Sequence, residues 1–233
     1  MYTLSAKYYD ELFSFKSYAD DVRRIRQWIA EYNLHAKSLL DVACGTGRHL
    51  ELLQADFEIA GVDLNPEFLE IARNRCPKGD FREGDMADFD CGQRFDVVTC
   101  LFSSIGYTRT LERMQASIAC MARHLNPGGL LLLEPWFTPQ RYLKNYLKLN
   151  VSDTPERKIV WMYTTDVKDR LAWWDIHYLV GTAQEVNHFV EHHEVGLFTH
   201  EEYSDAITAA SLKVEHDAYG LQDRGMYFGI KPR

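Results

Sequence analysis

The sequence predicts an α/β fold: a doubly wound, mostly parallel sheet carrying an inserted antiparallel β layer. Three observations predict it. Short apolar runs alternate with helical-period segments over residues 38–135, the first run breaks on the glycine turn Cys44-Gly-Thr-Gly47, and beyond Pro139 the apolar period switches to two.

Residues 18–34 place Val22, Ile25, Ile29 and Tyr32 at helical spacing with Trp28 beside them, while Asp20, Asp21, Arg23, Arg24 and Arg26 fill much of the rest. This is an amphipathic helix. Residues 38–43 form a short apolar run that closes on the glycine turn, and Leu50, Leu52 and Leu53 begin a helical pattern behind it. The unit repeats with residues 57–64 as strand and 66–75 as helix, Pro66 being suited to a first helical turn. A weaker third strand is expected near 80–82. Strands at 95–101 and 130–135 follow, the second announced by Asn126-Pro-Gly-Gly129, with a helix over about 111–124 between them.

Beyond Pro139, residues 141–149 read as a basic helix on which Arg141, Lys144 and Lys148 share a solvated face. Residues 158–167, 171–180 and 185–198 alternate as strands, and Lys168-Asp-Arg170 is short enough for a hairpin. Thr199-His-Glu-Glu202 is an N-cap signal for a helix reaching Ala210, and 212–219 and 225–231 are closing strands. One domain over 1–233 is expected: an N-terminal segment and helix (1–37), a ligand-binding core (38–137), the inserted layer (138–198), and a closing helix and strands (199–233).

Composition narrows the function. The 233 residues are 46% hydrophobic and 26% charged, too apolar for a disordered chain. Lys+Arg 26 against Asp+Glu 34 gives a net charge of −8, which disfavours a nucleic-acid partner. Cys44, Cys76, Cys91, Cys100 and Cys120 are odd in number and form no Cys-x-x-Cys pair, as expected of reduced thiols in a cytoplasmic protein. The first residues lack the build of a signal peptide, and the apolar runs 118–122 and 130–133 are far too short to span a bilayer, so no membrane partner is expected.

The chemistry concentrates in Leu39-Leu-Asp-Val-Ala-Cys-Gly-Thr-Gly47. A strand running into glycines lets backbone N–H groups approach a ligand closely, and the following helix presents its positive end. The dinucleotide fingerprint requires a third glycine where Leu50 stands, and no Gly-Lys-Ser/Thr follows, so a smaller anionic group such as a carboxylate suits the turn better. Asp63 ends the second strand, 22 residues after Asp41, where an acidic side chain accepts from both ribose hydroxyls. Gly84-Asp-Met86 sets a carboxylate and an apolar side chain for an adenine ring. Asp41 is read as holding the glycine loop, Asp96 as fixing a strand edge, and Cys44 as a small filler beneath the loop.

In this order the motifs resemble the class I S-adenosylmethionine-dependent methyltransferases, whose core is Rossmann-like, over roughly residues 38–135. The resemblance implies S-adenosyl-L-methionine as cofactor, with Gly45 and Gly47 flanking its methionine moiety, Asp63 on the ribose, and Asp85 with Met86 on adenine. Ala43, Leu64 and Leu101 join them as implied cofactor-binding positions. A narrower resemblance rests on Asp41-Val-Ala-Cys-Gly-Thr-Gly47, Cys100-Leu-Phe-Ser-Ser-Ile-Gly106, Glu134-Pro-Trp136, Ile176-His-Tyr-Leu-Val180 and Leu197-Phe-Thr199. Together these look like the nucleotide-linked amino-sugar N,N-dimethyltransferases of macrolide and related biosynthesis. That family closes its site with an N-terminal helix, which implies Tyr9 facing the substrate and Tyr18 the methionine end. Ser103, Ser104, Trp136 and Tyr178 are further substrate-binding positions, and Arg224 in Asp223-Arg-Gly225 is the implied diphosphate contact. The implied activity is an N-methyltransferase acting on a nucleotide-linked small-molecule amine. One departure stands out: the family pattern after Ser-Ser-Ile-Gly often continues with histidine, and here it is Tyr107.

Because a sulfonium methyl donor is already activated, positioning alone can supply ~7–11 kcal/mol. A dedicated base is then dispensable if the amine arrives neutral. Tyr107, Glu134 and His177 are the candidates for steering or accepting the proton, although a tyrosine with an unperturbed pKa of about 10 is a poor base. His188, His192 and His193, with Glu191 and Glu194, meet no zinc spacing. On a strand His188 and His192 face one side and His193 the other, so no metal is expected and the cluster is read as sheet-surface and pocket-wall residues. Trp161, Trp173 and Trp174 read as core or interface anchors. Three readings stay open beside the sugar: another small amine, amino acid or metabolite hydroxyl as acceptor; a non-catalytic S-adenosylmethionine-binding protein; and a homodimer as the working form. A nucleic-acid methyltransferase is disfavoured by the charge and by Leu101-Phe-Ser-Ser, which stands where a base-flipping Asn/Asp-Pro-Pro-Tyr would.

Overall fold

The computed structural model describes residues 2–233. The chain enters through a 3-10 turn, Ala6–Tyr8, and a short helix α1 (Tyr9–Leu12), then forms α2 (Tyr18–Tyr32). Ser17 caps α2 by accepting from the Asp20 N–H, and Val22, Ile25, Trp28 and Ile29 form its buried stripe. The alternating core follows as β1 (Ser38–Val42), α3 (Arg48–Leu53), β2 (Glu58–Asp63), α4 (Pro66–Arg75), β3 (Asp80–Glu83), β4 (Phe95–Cys100), α5 (Leu111–Arg123) and β5 (Leu125–Leu133). The inserted layer comprises β6 (Leu147–Asp153), β7 (Lys158–Thr164), β8 (Asp166–Lys168), β9 (Leu171–Gly181) and β10 (Val186–Gly196), and α6 (His200–Ala209), β11 (Lys213–Asp217) and β12 (Met226–Ile230) close the chain.

The central sheet has seven strands in the order β11-β12-β5-β4-β1-β2-β3. The strands β1 to β5 pair in parallel, and β12 inserts antiparallel between β5 and β11. Neighbouring residues on one strand serve opposite layers: Leu40, Val98 and Leu131 pack on the α5 and α6 side, whereas Leu39, Val97 and Leu130 pack on the α2 side. Burial on both faces is why these strands read as continuous apolar runs. Strand order reverses between β1 and β4, so a crevice opens beyond their carboxyl ends.

The second sheet is antiparallel, in the order β10-β9-β7-β6 with β8 on β9. Its inner face carries Trp161, Trp174, Ile176 and Tyr178 against Leu12 and Phe13 of the N-terminal segment. Residues 141–149 are not a helix. From Leu147 onward they pair with β7, Leu147 opposite Thr164 through Asp153 opposite Lys158. The run Leu147-Lys-Leu-Asn-Val151 satisfies a period of two as well as the basic spacing, and the open edge of β7 decides between them. Arg141 instead donates to the Asp223 carbonyl at 2.8 Å, Lys144 pairs with Asp166 at 2.8 Å, and Lys148 turns toward the cleft. The Asn126-Pro-Gly-Gly129 segment is the irregular start of β5, because Leu125 already pairs with Phe95. At the other expected boundary Thr199 and Glu202 form a reciprocal capping box for α6. Among the described residues no helix is long and apolar enough to cross a membrane.

Candidate active site

A cavity of about 560 Å³ lies beyond the carboxyl ends of β1, β2 and β4, roofed by the inner face of the second sheet. At one end of it the chain leaves β1 through Ala43 (φ 59°), Gly45 (φ 54°) and Gly47 (φ 76°). Glycine suits position 47, whose φ is left-handed and where a Cβ would stand only 3.1 Å from that of Ala72. Asp63 ties the turn to the end of β2: its Oδ2 accepts from the Gly45 N–H at 2.8 Å and its Oδ1 from the Asn65 N–H at 2.9 Å. Burial raises the Asp63 carboxyl above its ordinary pKa, and these N–H bonds oppose the rise. A carboxylate accepts about four hydrogen bonds, so Asp63 keeps capacity toward the cavity it lines with Ala43, Gly45 and Leu64. Asp85 and Met86 continue this wall. The Asp85 carboxylate accepts from Ala87 N–H at 2.9 Å and from Arg113 at 2.6 Å, which with Arg113 holds its pKa low.

Other expected cofactor positions stand behind the wall. Leu101 is buried in the core, and its carbonyl accepts from Ser104 Oγ at 2.9 Å. Tyr18 packs on His49 at 4.9 Å beneath Lys16 and Arg48, and Gly47 shapes the turn without reaching the cavity. Asp41 accepts from Thr99 Oγ1 at 2.6 Å instead of bracing the glycine loop, and burial pushes its pKa up to about 6.

The other end is aromatic. Tyr9, Phe13, Phe102, Tyr107, Trp136 and Trp161 line it with Ser103, Ser104 and Arg224. Tyr9 of α1 packs on Phe68 at 4.8 Å and Phe13 at 4.7 Å. The turn after β4 bends sharply through Phe102 (φ 53°) and Ser103 (φ 59°), a left-handed backbone uncommon outside glycine. Two bonds hold it there: Ser103 Oγ donates to the Pro135 carbonyl at 2.6 Å, and the Phe102 N–H donates to Glu134 Oε2 at 2.7 Å.

Glu134 is therefore not placed as a base. It is fully buried, one oxygen bracing Phe102 and the other paired with Arg224 at 2.8 Å. His177 is corrected more plainly: it faces the outer side of the second sheet, where its Nδ1 lies 3.3 Å from His188 Nε2, and it does not line the cleft. Strand parity is the reason, because Ile176 and Tyr178 take the inward positions. Tyr178 points inward but lies beneath Phe189, fully covered, and does not reach the cavity. Tyr107 does reach it, and its hydroxyl sits 2.9 Å from His193 Nδ1.

Sequence reasoning missed the anchors of the N-terminal segment. Asp10 accepts from Thr46 Oγ1 at 2.6 Å and pairs with Arg75, Glu11 pairs with Arg157 at 2.9 Å, and Glu191 accepts from the Thr3 and Ser5 N–H groups at 2.7 and 3.1 Å. Single acidic residues at such separations leave no periodic signal. Arg224 lines the cavity below Trp136, its guanidinium 5.5 Å from that ring, and neither Arg224 Nε nor Trp136 Nε1 has a partner among the described residues.

Comparison with known proteins agrees with this geometry. A family model described as a methyltransferase domain matches residues 39–129. The dTDP-3-amino-3,4,6-trideoxy-alpha-D-glucopyranose N,N-dimethyltransferase of Streptomyces venezuelae is 36% identical over 217 residues, covering 92% of each chain. Among solved structures, Streptomyces venezuelae DesVI superposes with a TM-score of 0.92 at 35% identity, over the whole of both chains. The S-adenosylmethionine-bound amino pentose methyltransferase CalS10 of Micromonospora echinaspora gives 0.88 at 32% identity, covering 99% of this chain and 98% of its own. A glycine turn, a cavity-lining carboxylate with acceptor capacity and an adjoining apolar wall fit S-adenosylmethionine, and the chain belongs to the S-adenosylmethionine-dependent methyltransferases, in the family of the nucleotide-linked amino-sugar N,N-dimethyltransferases.

Proposed function

We propose that this chain methylates the amine of a nucleotide-linked amino sugar by direct in-line displacement. The observation that carries the acceptor class is at Arg224: a guanidinium on the cavity wall beside the Trp136 ring, held in place by the buried Glu134 carboxylate at 2.8 Å. A guanidinium on a cavity wall suits an acceptor-rich ligand group, and a diphosphate supplies one. The names of the similar proteins support the same class.

Bound S-adenosylmethionine supplies a sulfonium-activated methyl group. The protein's own contribution is placement. In this reading Ala43, Gly45, Asp63, Leu64, Asp85 and Met86 hold the cofactor, while Tyr9, Ser103, Ser104, Trp136 and Arg224 hold the acceptor. The aromatic wall and α1 exclude water, and the gain from orientation is on the order of 7–11 kcal/mol. A neutral amine needs no base in the transfer itself, in keeping with Glu134 and His177 both standing away from that role.

Replacing Arg224 tests the reading. Arg224→Ala removes a guanidinium from a buried pair and from the ligand, a loss of about 2–5 kcal/mol. The acceptor KM rises at least tenfold, cofactor affinity measured by titration calorimetry is unchanged, and free nucleoside diphosphate inhibits the native protein far more than the variant. Absence of competition at millimolar nucleoside diphosphate would move the acceptor to a small free amine.

The finer expectations belong to this reading too. Five buried, unpaired cysteines suit work in the cytoplasm. The exposed apolar residues Leu147, Leu149, Val151 and Leu179, which strand pairing sets on the outer face of the second sheet, suit burial against a second copy. Light scattering showing a monomer at micromolar concentration would remove the homodimer from the account.

A further inference from the structure

We infer that His193 sets the hydrogen-bonding polarity of Tyr107, fixing its hydroxyl as an acceptor for an N–H of the methyl acceptor's amine. This rests on the amine-methylation reading above.

Tyr107 lies in the 3-10 turn Ser104–Thr108 and lines the cavity, where the family pattern often has histidine. In this chain an imidazole stands one layer behind it. His193 belongs to β10, opposite Trp174 in register, and takes the inward position. Its ring lies parallel to Trp174 at 5.8 Å and 3°, meets the edge of Tyr2 at 4.7 Å, and is fully buried. Packing on both sides fixes its orientation, and Nδ1 lies 2.9 Å from the Tyr107 hydroxyl. Nε2 has no partner among the described residues, so that bond is the one that orients the ring there.

The direction of the bond follows from the chemistry of the two groups. A phenol is a good donor and a weak acceptor, since its lone pair is shared with the ring, while an unprotonated imidazole nitrogen is a strong acceptor. Burial keeps both neutral, driving the His193 pKa down to about 3 and the Tyr107 pKa up. The Tyr107 O–H therefore points at His193 Nδ1, and the oxygen lone pairs are left for the cavity and for Tyr2, its other polar neighbour. Toward a ligand such a tyrosine only accepts. A primary or secondary amine offers it an N–H and keeps the nitrogen lone pair free for the methyl group. Transfer to a secondary amine gives a tertiary ammonium that keeps one N–H, so the contact outlasts the second methylation and ends only when that proton passes to water, leaving a neutral dimethylated product with nothing to donate. His193 is in this account a positioning residue acting through Tyr107.

The test compares His193→Phe, which keeps a flat ring without an acceptor, with His193→Asn, whose amide can place an oxygen near the Nδ1 position, and with Tyr107→Phe. Steady-state kinetics with a nucleotide-linked amino sugar should show acceptor kcat/KM lowered at least tenfold in His193→Phe and Tyr107→Phe. The double variant should be no worse than either single one, His193→Asn should lie within about threefold of the native protein, and the KM for S-adenosylmethionine should not move. Nitrogen-15 NMR of the unsubstituted, histidine-labelled protein gives a second readout that survives a failure of any variant to fold. It should show His193 neutral and protonated on Nε2. An Nδ1-protonated ring, a His193→Phe rate within twofold of native, or additive losses in the double variant would overturn the inference. If the native protein methylates no nucleotide-linked sugar, the acceptor reading fails instead, and the NMR result still decides the orientation of Tyr107.

Discussion

Arg224 and Glu134 form a salt bridge at 2.8 Å at the aromatic end of the cavity, and the second Glu134 oxygen accepts the Phe102 N–H at 2.7 Å. One fully buried carboxylate thus joins the C-terminal loop, the end of β5 and the left-handed turn after β4. Breaking a buried pair by removing one partner costs about 3–5 kcal/mol. Glu134→Ala should lose stability on that scale in denaturant titration, while the milder Glu134→Gln should keep the shape of the native pH–rate profile. A basic limb that disappears in Glu134→Gln would return Glu134 to the role of base.

Asp63 braces Gly45 and Asn65 and lines the cavity beside the glycine turn; in the reading above it also holds the cofactor. Asp63→Asn keeps an acceptor for one N–H but removes the charge, and charged hydrogen bonds contribute about 1.5–3 kcal/mol each. Cofactor affinity by titration calorimetry should fall at least about tenfold with the circular dichroism spectrum unchanged. Equal affinity would remove the ribose assignment.

Asp41 links stability to pH. Burial raises its folded pKa from 3.8 to about 6, so the folded state binds the proton more tightly than the unfolded chain. The stability this confers is complete below pH 3.8 and is lost as pH rises through about 6. Asp41→Asn does not titrate, and Thr99 can still donate to its amide oxygen. Between pH 4 and pH 8 the variant should gain about 1–3 kcal/mol relative to the native protein, read from denaturant unfolding without ligands. Parallel stability curves would show that Asp41 does not carry the shift.

The N-terminal segment is clasped at three points: Glu191 with Thr3 and Ser5, Asp10 with Thr46 and Arg75, and Glu11 with Arg157. Two of these anchors end on the inserted layer and one on the glycine turn, so the segment is tied directly to the turn that lines the cavity. Hydrogen exchange over residues 2–17 should slow when cofactor and acceptor are both bound. Removal of the Asp10 anchor in Asp10→Ala should raise exchange in the free protein and weaken cofactor binding. Equal protection with and without ligands would show that the segment does not respond to them.

The core was legible in the sequence because its signals are local. The apolar runs, the Pro66 helix start and the Thr199 capping box each lie within a few residues, and the structure places all of them as expected. Misreadings arose where a local pattern admits two periods or where a partner is distant. Residues 147–151 fit a helix face and a strand face equally, and pairing with β7 decided. The Ile176–Val180 motif marks His177 as a site residue, but strand parity turns it outward. Glu134 was recognised as important without its partner, 90 residues away, and a carboxylate's role depends on that partner. Strand parity separates His193 from His188 and His192, yet its contact with Tyr107 spans 86 residues and leaves no local signal.

The most direct measurement compares acceptor kcat/KM for one amino sugar in two forms, linked to a nucleoside diphosphate and free, with S-adenosylmethionine saturating and product mass recorded. The account predicts mass gains of one and then two methyl groups on the linked form, with a preference for it of about a hundredfold or more, as the loss of a guanidinium–diphosphate contact of ~3 kcal/mol requires. Equal turnover of the free sugar, or methylation confined to an amine bearing no nucleotide, would contradict it.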